Sequence, residues 1–174
     1  MNKKSKKILI KTKRLIIRNF MANDFKGLFE YLSHIEIYRF EPGSPINIEM
    51  AKYLCKERSK GNKFLAVVLK SKVIGHIYFS QIEPKELMTW ETGYIFNREY
   101  QKNGFATESL KAVIEYGFKN LYVHKIIAHC NPKNISSWKL LERTNADELI
   151  PDETLKDLSK NPLKFLFLLL LSMI

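Results

Sequence analysis

The chain has very few cysteines, and their spacing indicates neither a disulfide framework nor a metal site. Cys55 and Cys130 are the two cysteines among 174 residues, and neither belongs to a C-x-x-C pair. Small secreted domains depend on several disulfides, and structural zinc sites need four ligands at close spacing. We therefore expect a protein of the reducing cytoplasm that holds no metal ion. We interpret three histidines in or beside predicted strands as packed or half-exposed residues: His76, His124 and His129.

Long apolar runs are also scarce. The basic segment Met1–Lys7 is followed by only three apolar residues before Lys11, which is too few for a secretory signal. The apolar run at the end of the chain, Leu163–Ile174, is short, whereas a helix that crosses a bilayer needs about 20 residues. We therefore predict no transmembrane span. The apolar fraction of 45% with 12% aromatic residues predicts one globular domain.

Acidic residues are absent from the start of the chain. The sequence has 29 Lys and Arg against 18 Asp and Glu, a formal net charge of +11. Seven of the basic residues fall within the first 14 positions, so the remainder has 22 basic against 18 acidic residues, or +4. We therefore assign residues 1–11 to a basic N-terminal arm that is solvated. Weak contact of this arm with RNA or the ribosome is the alternative.

Hydrophobic periodicity predicts five strands and four helices. Their order is a strand, two helices, three strands, then a helix, a strand and a helix, which is typical of an α/β or α+β three-layer domain. The strands are Leu15–Ile17, Phe64–Leu69, Val73–Ser80, Met88–Phe96 and Lys125–Cys130, and the helices are Asp24–His34, Asn47–Gly61, Thr107–Leu121 and Asn134–Arg143.

Local patterns predict how these elements join. A tight polar turn should join Phe64–Leu69 to Val73–Ser80 in a hairpin, and Asn47 should cap the second helix. The helix at residues 107–121 and the strands on either side of it should form a βαβ unit. The apolar stripe that we expect to face the core consists of Ala106, Leu110, Val113, Ile114, Gly117, Phe118 and Leu121.

A polar loop, residues 101–106 with the sequence QKNGFA, joins the strand that ends at Phe96 to the predicted helix Thr107–Leu121. The backbone N–H groups of such a loop and the positive end of the helix dipole point toward one spot, which suits a phosphate. Gly104 has no Cβ and Ala106 a small side chain, so an anion can approach the backbone closely. A glycine turn before an ordinary helix is the alternative interpretation.

Four motifs in this order resemble the GNAT superfamily of acyl-CoA-dependent N-acetyltransferases, especially the ribosomal-protein N-terminal acetyltransferases. They are Thr12-Lys13-Arg14-Leu15 with Arg18, Glu91-x-Gly93-Tyr94, Gln101-x-x-Gly104-x-Ala106-Thr107-Glu108, and Asn134-x-x-Ser137. The resemblance implies a three-layer fold at residues 12–146, with helices flanking a mixed, mostly antiparallel sheet. It also implies a cytoplasmic enzyme that transfers an acetyl group directly from acetyl-CoA to a primary amine, either a protein N-terminus or a small molecule.

The resemblance assigns a coenzyme-binding role to ten residues. The diphosphate of coenzyme A would meet the amides of the Q-x-x-G-x-A motif, namely Gln101, Asn103, Gly104, Phe105 and Ala106, with Thr107 beside them. The pantetheine arm would lie along Tyr94, Ile95 and Phe96, and Asn134 would hydrogen-bond it from the other side.

Acyl transfer also needs a base for the amine, a donor for the oxyanion and an acid for the leaving thiolate. Glu91 is the candidate base, acting through water, because a carboxylate within an apolar strand is otherwise unusual. The resemblance implies a backbone N–H near Ile95 as the oxyanion donor. Ser137 is the candidate donor to the thiolate, and an ordinary polar residue of the first helical turn is the alternative.

The resemblance ends after the last predicted helix, where the family continues with two long antiparallel strands. Residues 147–174 instead contain two prolines and the apolar run Leu163–Ile174, so we expect atypical or missing C-terminal strands. A substitute strand or helix, a peripheral membrane anchor and a damaged coding end are the alternatives, of which we favour a degenerate end. An impaired acyl-CoA-binding domain and a basic RNA-associated protein remain alternative functions. A homodimer is one open oligomeric state.

Overall fold

The computed structural model describes residues 7–144 and 166–171. The chain divides into two compact units, and each is treated by itself. The first unit holds the described residues up to Phe79 together with Tyr94–Ala106. The second holds Ser80–Gly93 and the described residues from Thr107 onward.

The first unit is built on an antiparallel ladder. Strand β1 pairs with β2, β2 with β3, and β3 with β4, each antiparallel to the last. Two helices, α1 and α2, lie between β2 and β3 in the sequence. The bounds are β1 Leu9–Lys11, β2 Ile16–Asn19, α1 Phe25–Leu32, α2 Ile48–Arg58, β3 Phe64–Leu69 and β4 Lys72–Gln81.

The core of the first unit explains these elements. Leu28 and Leu32 on the apolar stripe of α1 are buried together with Cys55 of α2 and residues of β3. Asn47 caps α2 as predicted, because its side chain accepts a hydrogen bond from the backbone N–H of Met50 at 2.8 Å. The predicted hairpin between β3 and β4 is confirmed as well.

The predicted βαβ arrangement is present, and the pairing of its two strands lies in the second unit. Strand β5 (Thr89–Phe96) leads through α3 (Phe105–Leu121) to β6 (Lys125–Cys130), and β5 pairs with β6 in parallel. The stripe predicted for α3 is its buried face, which includes Leu110, Val113, Ile114, Gly117 and Phe118. Helix α4 (Ile135–Thr144) follows β6.

Both ends of the described chain add a strand that periodicity did not identify. Strand β1 begins at Leu9, inside the segment assigned to the basic arm. Strand β7 (Leu166–Leu171) pairs with β6 in parallel, from Lys125 opposite Leu166 to Cys130 opposite Leu171. A parallel strand replaces the antiparallel one expected there, so the end is atypical, and the substitute strand is the alternative that the structure contains. Asn145, which the sequence suggests as a left-handed cap of the last helix, lies outside the described residues.

Candidate active site

The predicted phosphate loop, residues 101–106, connects β5 to α3 in the first unit. Lys102 and Gly104 adopt left-handed backbone conformations, with φ values of 61° and 78°. Asn103 Nδ2 donates to the backbone oxygen of Gln101 at 3.0 Å, and Gln101 Nε2 donates to that of Phe96 at 3.3 Å. The two side-chain amides therefore hold the loop itself, and the helix dipole of α3 points its positive end toward the same loop.

Arg14 lies on this loop, and sequence reasoning gave it no role in the site. Its Nη1 donates to the backbone oxygen of Asn103 at 3.0 Å, and its guanidinium carbon lies 4.5 Å from the ring centre of Phe105. An ideal Cβ placed on Gly104 would be 3.4 Å from Arg14 Nη2. The place of Arg14 in the T-x-R-L motif was the only signal in the sequence.

The turn between β1 and β2 holds Arg14 in this position. The backbone N–H of Thr12 donates to the oxygen of Leu15 at 3.0 Å, and the N–H of Leu15 donates to Thr12 Oγ1 at 3.0 Å. Leu15 is almost fully buried, so the turn is anchored on the core. The threonine and the leucine of the motif therefore fix the backbone from which Arg14 reaches the loop.

The end of β5, Tyr94 to Phe96, is fixed against β4 within the first unit. A Cβ on Gly75 would lie 2.7 Å from the backbone oxygen of Ile95 and 2.7 Å from the ring of Phe96, so only glycine fits here. The N–H of Asn97 donates to the oxygen of Ile74 at 2.9 Å. The predicted pantetheine strand and the predicted phosphate loop thus form one continuous stretch, joined by the bond from Gln101 to Phe96.

Glu91 lies on β5 in the second unit, and its surroundings differ from the apolar ones expected. Its side chain is 34% exposed, and its Oε1 lies 3.9 Å from Nε2 of His129 on β6. The expectation of an apolar environment was therefore wrong, because this face of the parallel pair reaches solvent. His129 was interpreted from the sequence only as a packed or half-exposed residue, and its side chain is 46% exposed.

Asn134 and Ser137 are brought together at the start of α4. Asn134 Oδ1 accepts a hydrogen bond from the backbone N–H of Ser137 at 3.2 Å, which caps the helix. Thr107 lies in the first turn of α3. Among residues 7–144 and 166–171, no cluster of three or more His, Cys, Asp or Glu side chains is suited to a metal ion. Within the same residues, no helix is long and apolar enough to cross a membrane.

Comparison with known proteins identifies the family. The model for the acetyltransferase (GNAT) domain matches residues 14–146. The chain belongs to the GNAT acetyltransferase family. It is 36% identical over 137 residues to the uncharacterized N-acetyltransferase YnaD of Bacillus subtilis. The aligned region covers 77% of this chain and 79% of the relative. The predicted family and enzyme class are thereby confirmed: this GNAT protein is an acetyl-CoA-dependent N-acetyltransferase.

Solved structures confirm the fold class. A GNAT-family acetyltransferase from Bacillus anthracis is 31% identical, with a TM-score of 0.74, and the match covers 79% of this chain and 82% of that one. The ribosomal L7/L12 alpha-N-protein acetyltransferase RimL, solved in complex with coenzyme A, matches with a TM-score of 0.68 over 79% of this chain and 83% of that one. RimL is 14% identical to this chain and bears on the fold alone.

Proposed function

We propose that this GNAT protein acetylates the α-amine of a protein N-terminus, or a small-molecule amine of similar basicity, by direct transfer from acetyl-CoA. The observation that carries the proposal is the loop at residues 101–106. It combines two left-handed residues, the N-terminal end of α3 and an arginine fixed across it. Such an arrangement suits the diphosphate of coenzyme A.

The diphosphate would be held by backbone amides of Gln101, Asn103, Gly104, Phe105 and Ala106, with Thr107 following in the same turn. Gly104 supports this role, because its φ of 78° is one that a residue with a Cβ adopts only with strain. Arg14 Nη1 donates to the backbone oxygen of Asn103 at 3.0 Å, which fixes one carbonyl group of the loop. Arg14 therefore orders the loop for an anion.

The pantetheine arm would follow Tyr94, Ile95 and Phe96, whose strand end is pressed against Gly75. Asn134 would donate to the arm from its side-chain amide, because its oxygen already caps α4. The backbone N–H near Ile95 would stabilise the oxyanion of the tetrahedral intermediate.

Transfer begins when a proton leaves the acceptor ammonium through a water molecule held by Glu91. The amine nitrogen then attacks the thioester carbonyl carbon, a C–N bond forms, and the carbonyl oxygen takes the negative charge. When the C–S bond breaks, the Ser137 hydroxyl donates a proton to the thiolate. The hydroxyl takes up the second amine proton in exchange. One amide, one thiol and one released proton result, and no acyl-enzyme is formed.

The acceptor class follows from the cost of deprotonation. An α-amine with a pKa of about 7.8 costs roughly 1 kcal/mol to deprotonate at pH 7, whereas a lysine amine at about 10.4 costs about 5 kcal/mol. A half-exposed carboxylate such as Glu91 is a weak base, so the site favours amines that lose their proton readily. We place the reaction in the cytoplasm, since both cysteines are free thiols.

The parallel strand β7 favours one further candidate, an acyl-CoA-binding domain with impaired transfer. The family resemblance predicted antiparallel strands at this place, and a parallel strand changes the wall that an acceptor would meet. In that case acetyl-CoA binds but no amine is acetylated.

One experiment separates these functions. Release of the coenzyme A thiol is measured with peptides that begin with alanine or serine, with spermidine, with an aminoglycoside and with a peptide whose only amine is lysine Nζ. Rapid turnover of the α-amines supports the proposal, and rapid turnover of the lysine peptide alone contradicts the acceptor class. Binding of acetyl-CoA without any turnover supports the impaired domain, and a Gly104→Glu variant that still binds acetyl-CoA contradicts the placement of the diphosphate.

A further inference from the structure

Two polar side chains with acid–base chemistry meet across the parallel strands of the second unit. Glu91 on β5 lies opposite Ile127 on β6, and His129 is two residues farther along the same strand. Side chains two residues apart in a strand share one face of the sheet, so Glu91 and His129 project to the same side. The separation of 3.9 Å between Glu91 Oε1 and His129 Nε2 agrees with this register.

The surface beside this pair is open within the described part of the chain. Gly93 directly follows Thr92, the last residue of β5 that pairs with β6, and Thr92 lies opposite Ala128. An ideal Cβ on Gly93 would have no heavy atom of the described residues within 4 Å. The side chains of Glu91 and His129 are 34% and 46% exposed, so water and a small amine can reach both.

We propose that His129 is the proton-relay residue of acyl transfer and forms one proton-accepting unit with Glu91, an inference that rests on the proposed function. The separation of 3.9 Å exceeds a direct hydrogen bond and is short enough for a slight movement or one water molecule to connect the groups. An imidazole ring can take up a proton at one nitrogen and release a proton from the other, so His129 can pass the proton from the Glu91 side to solvent.

The relay keeps protons and electrons in balance. The acceptor ammonium gives one proton to the water held by Glu91, and the nitrogen lone pair that remains attacks the thioester carbon. The same proton passes from the carboxylate side to Nε2 of His129 and then to bulk solvent from the exposed ring. Glu91 is a carboxylate again before the next turnover. The second amine proton is transferred to the thiolate by way of Ser137, as in the proposed function.

The competing explanation is a solvated surface pair with no part in the reaction. Lys125 is a further charged residue on the same strand, two positions before Ile127, and therefore shares their face of the sheet. A merely structural pair would contribute to stability and leave the rate of proton removal unchanged. Activity, chemical rescue and thermal stability together separate the two explanations.

The test uses the full chain and its variants His129→Ala, His129→Gln, Glu91→Gln and the double variant Glu91→Gln with His129→Ala. His34→Ala is the matched control, because His34 is an exposed histidine in the other unit. Thiol release from acetyl-CoA is followed with an alanine-initiated and a serine-initiated peptide amide. Melting temperature and acetyl-CoA affinity are measured for every variant.

We expect His129→Ala and His129→Gln to lower kcat/KM for the acceptor by about tenfold or more, within the range of general-base effects. Acetyl-CoA affinity and melting temperature should stay those of the unmodified protein, and added imidazole should restore part of the rate of His129→Ala alone. The double variant should be no slower than Glu91→Gln. Glu91 and His129 act as one proton-accepting unit, so losing either residue removes the same contribution to the rate.

Three results would overturn the relay while leaving the proposed function intact: full activity of His129→Ala, no restoration by imidazole, or a double variant whose loss is the product of the two single losses. Absence of thiol release from the unmodified protein with both acceptors would instead overturn the proposed function, and the relay with it. His34→Ala should match the unmodified protein throughout.

Discussion

Replacement of His76 by glutamine should remove most of the acid sensitivity of this protein between about pH 6.5 and pH 5. His76 on β4 is 4% exposed, and its Nδ1 lies 2.7 Å from the hydroxyl oxygen of Tyr31. The rings of Phe20 and Phe64 pack around it. Burial, and then the positive charge of Arg58, lower the pKa of His76 well below its ordinary value of 6.5. The imidazole is therefore neutral in the folded protein, where its Nδ1 and the Tyr31 hydroxyl form a hydrogen bond.

The sign of the effect follows from proton uptake on unfolding. Below pH 6.5 the unfolded chain protonates His76 and the folded chain does not, so the free energy of unfolding falls as the pH falls. The loss from one such group is about 1.4 kcal/mol per pH unit, or roughly 2 kcal/mol between pH 6.5 and pH 5. That is a large share of the roughly 5–15 kcal/mol that stabilises an ordinary domain. The loss continues until the pH reaches the depressed pKa of the folded state.

Urea unfolding at about pH 7, 6, 5.5 and 5 measures this loss. The unmodified protein is compared with His76→Gln and with His34→Gln, whose side chain at position 34 is exposed. His76→Gln is expected to be less stable at pH 7, because a fitted ring is lost from the core. Its stability should nevertheless change less with pH than that of the other two proteins. Equal pH slopes for all three proteins would refute a neutral buried His76.

Further predictions concern the loop, the strand end and the thiols. Gly104→Ala should weaken acetyl-CoA binding several-fold, because a residue with a Cβ adopts a φ of 78° only at a strain cost of about 1–3 kcal/mol. Unchanged acetyl-CoA affinity in calorimetry, together with an unchanged melting curve, would contradict this. Arg14→Gln should raise KM for acetyl-CoA more than it lowers kcat, and the reverse pattern would argue against a positioning role. Gly75→Ala should cost about 1–3 kcal/mol of stability in urea, since its Cβ would meet Ile95 at 2.7 Å. Cys55 should not react with a thiol reagent in the folded protein at pH 8, because burial raises its pKa to about 11; reaction at native rates would contradict this.

Local patterns were sufficient to predict the elements that carry the core. The stripe on α3, the hairpin between β3 and β4 and the Asn47 cap each depend on residues within a few positions of one another, so the sequence contains their signal. Strand β1 has three residues with an exposed, half-buried, exposed pattern, which is too little for a periodicity. Strand β1 forms because its backbone pairs with that of β2. The run of β7 is uniformly apolar, so neither its direction nor its partner follows from the sequence.

Contacts between distant residues limited the prediction of the site. Arg14 and Asn103 are 89 positions apart, and only the turn at Thr12 and Leu15 brings the guanidinium to the loop. The pair of Glu91 and His129 depends on the register of β5 against β6, which a two-residue alternation does not determine. The Q-x-x-G-x-A motif predicts the positions whose backbone would meet a phosphate. The motif gave no information about side chains that are distant in the sequence and position the loop, such as that of Arg14.

The basic start of the chain leads to a last prediction, on how salt affects coenzyme binding. Arg14 is the last of the seven basic residues near the start of the chain. It makes a hydrogen bond to Asn103 and a cation–π contact with Phe105. Lys11 and Lys13 are exposed and act on a phosphate only through solvent, where physiological salt screens charges beyond about 8 Å. A double Lys11→Gln, Lys13→Gln variant should therefore lose acetyl-CoA affinity at low salt alone. Arg14→Gln should lose a similar factor at every salt concentration, because it disorders the loop. If the loss in Arg14→Gln disappears at high salt, Arg14 acts as a diffuse charge and the fixed contacts do not position the loop.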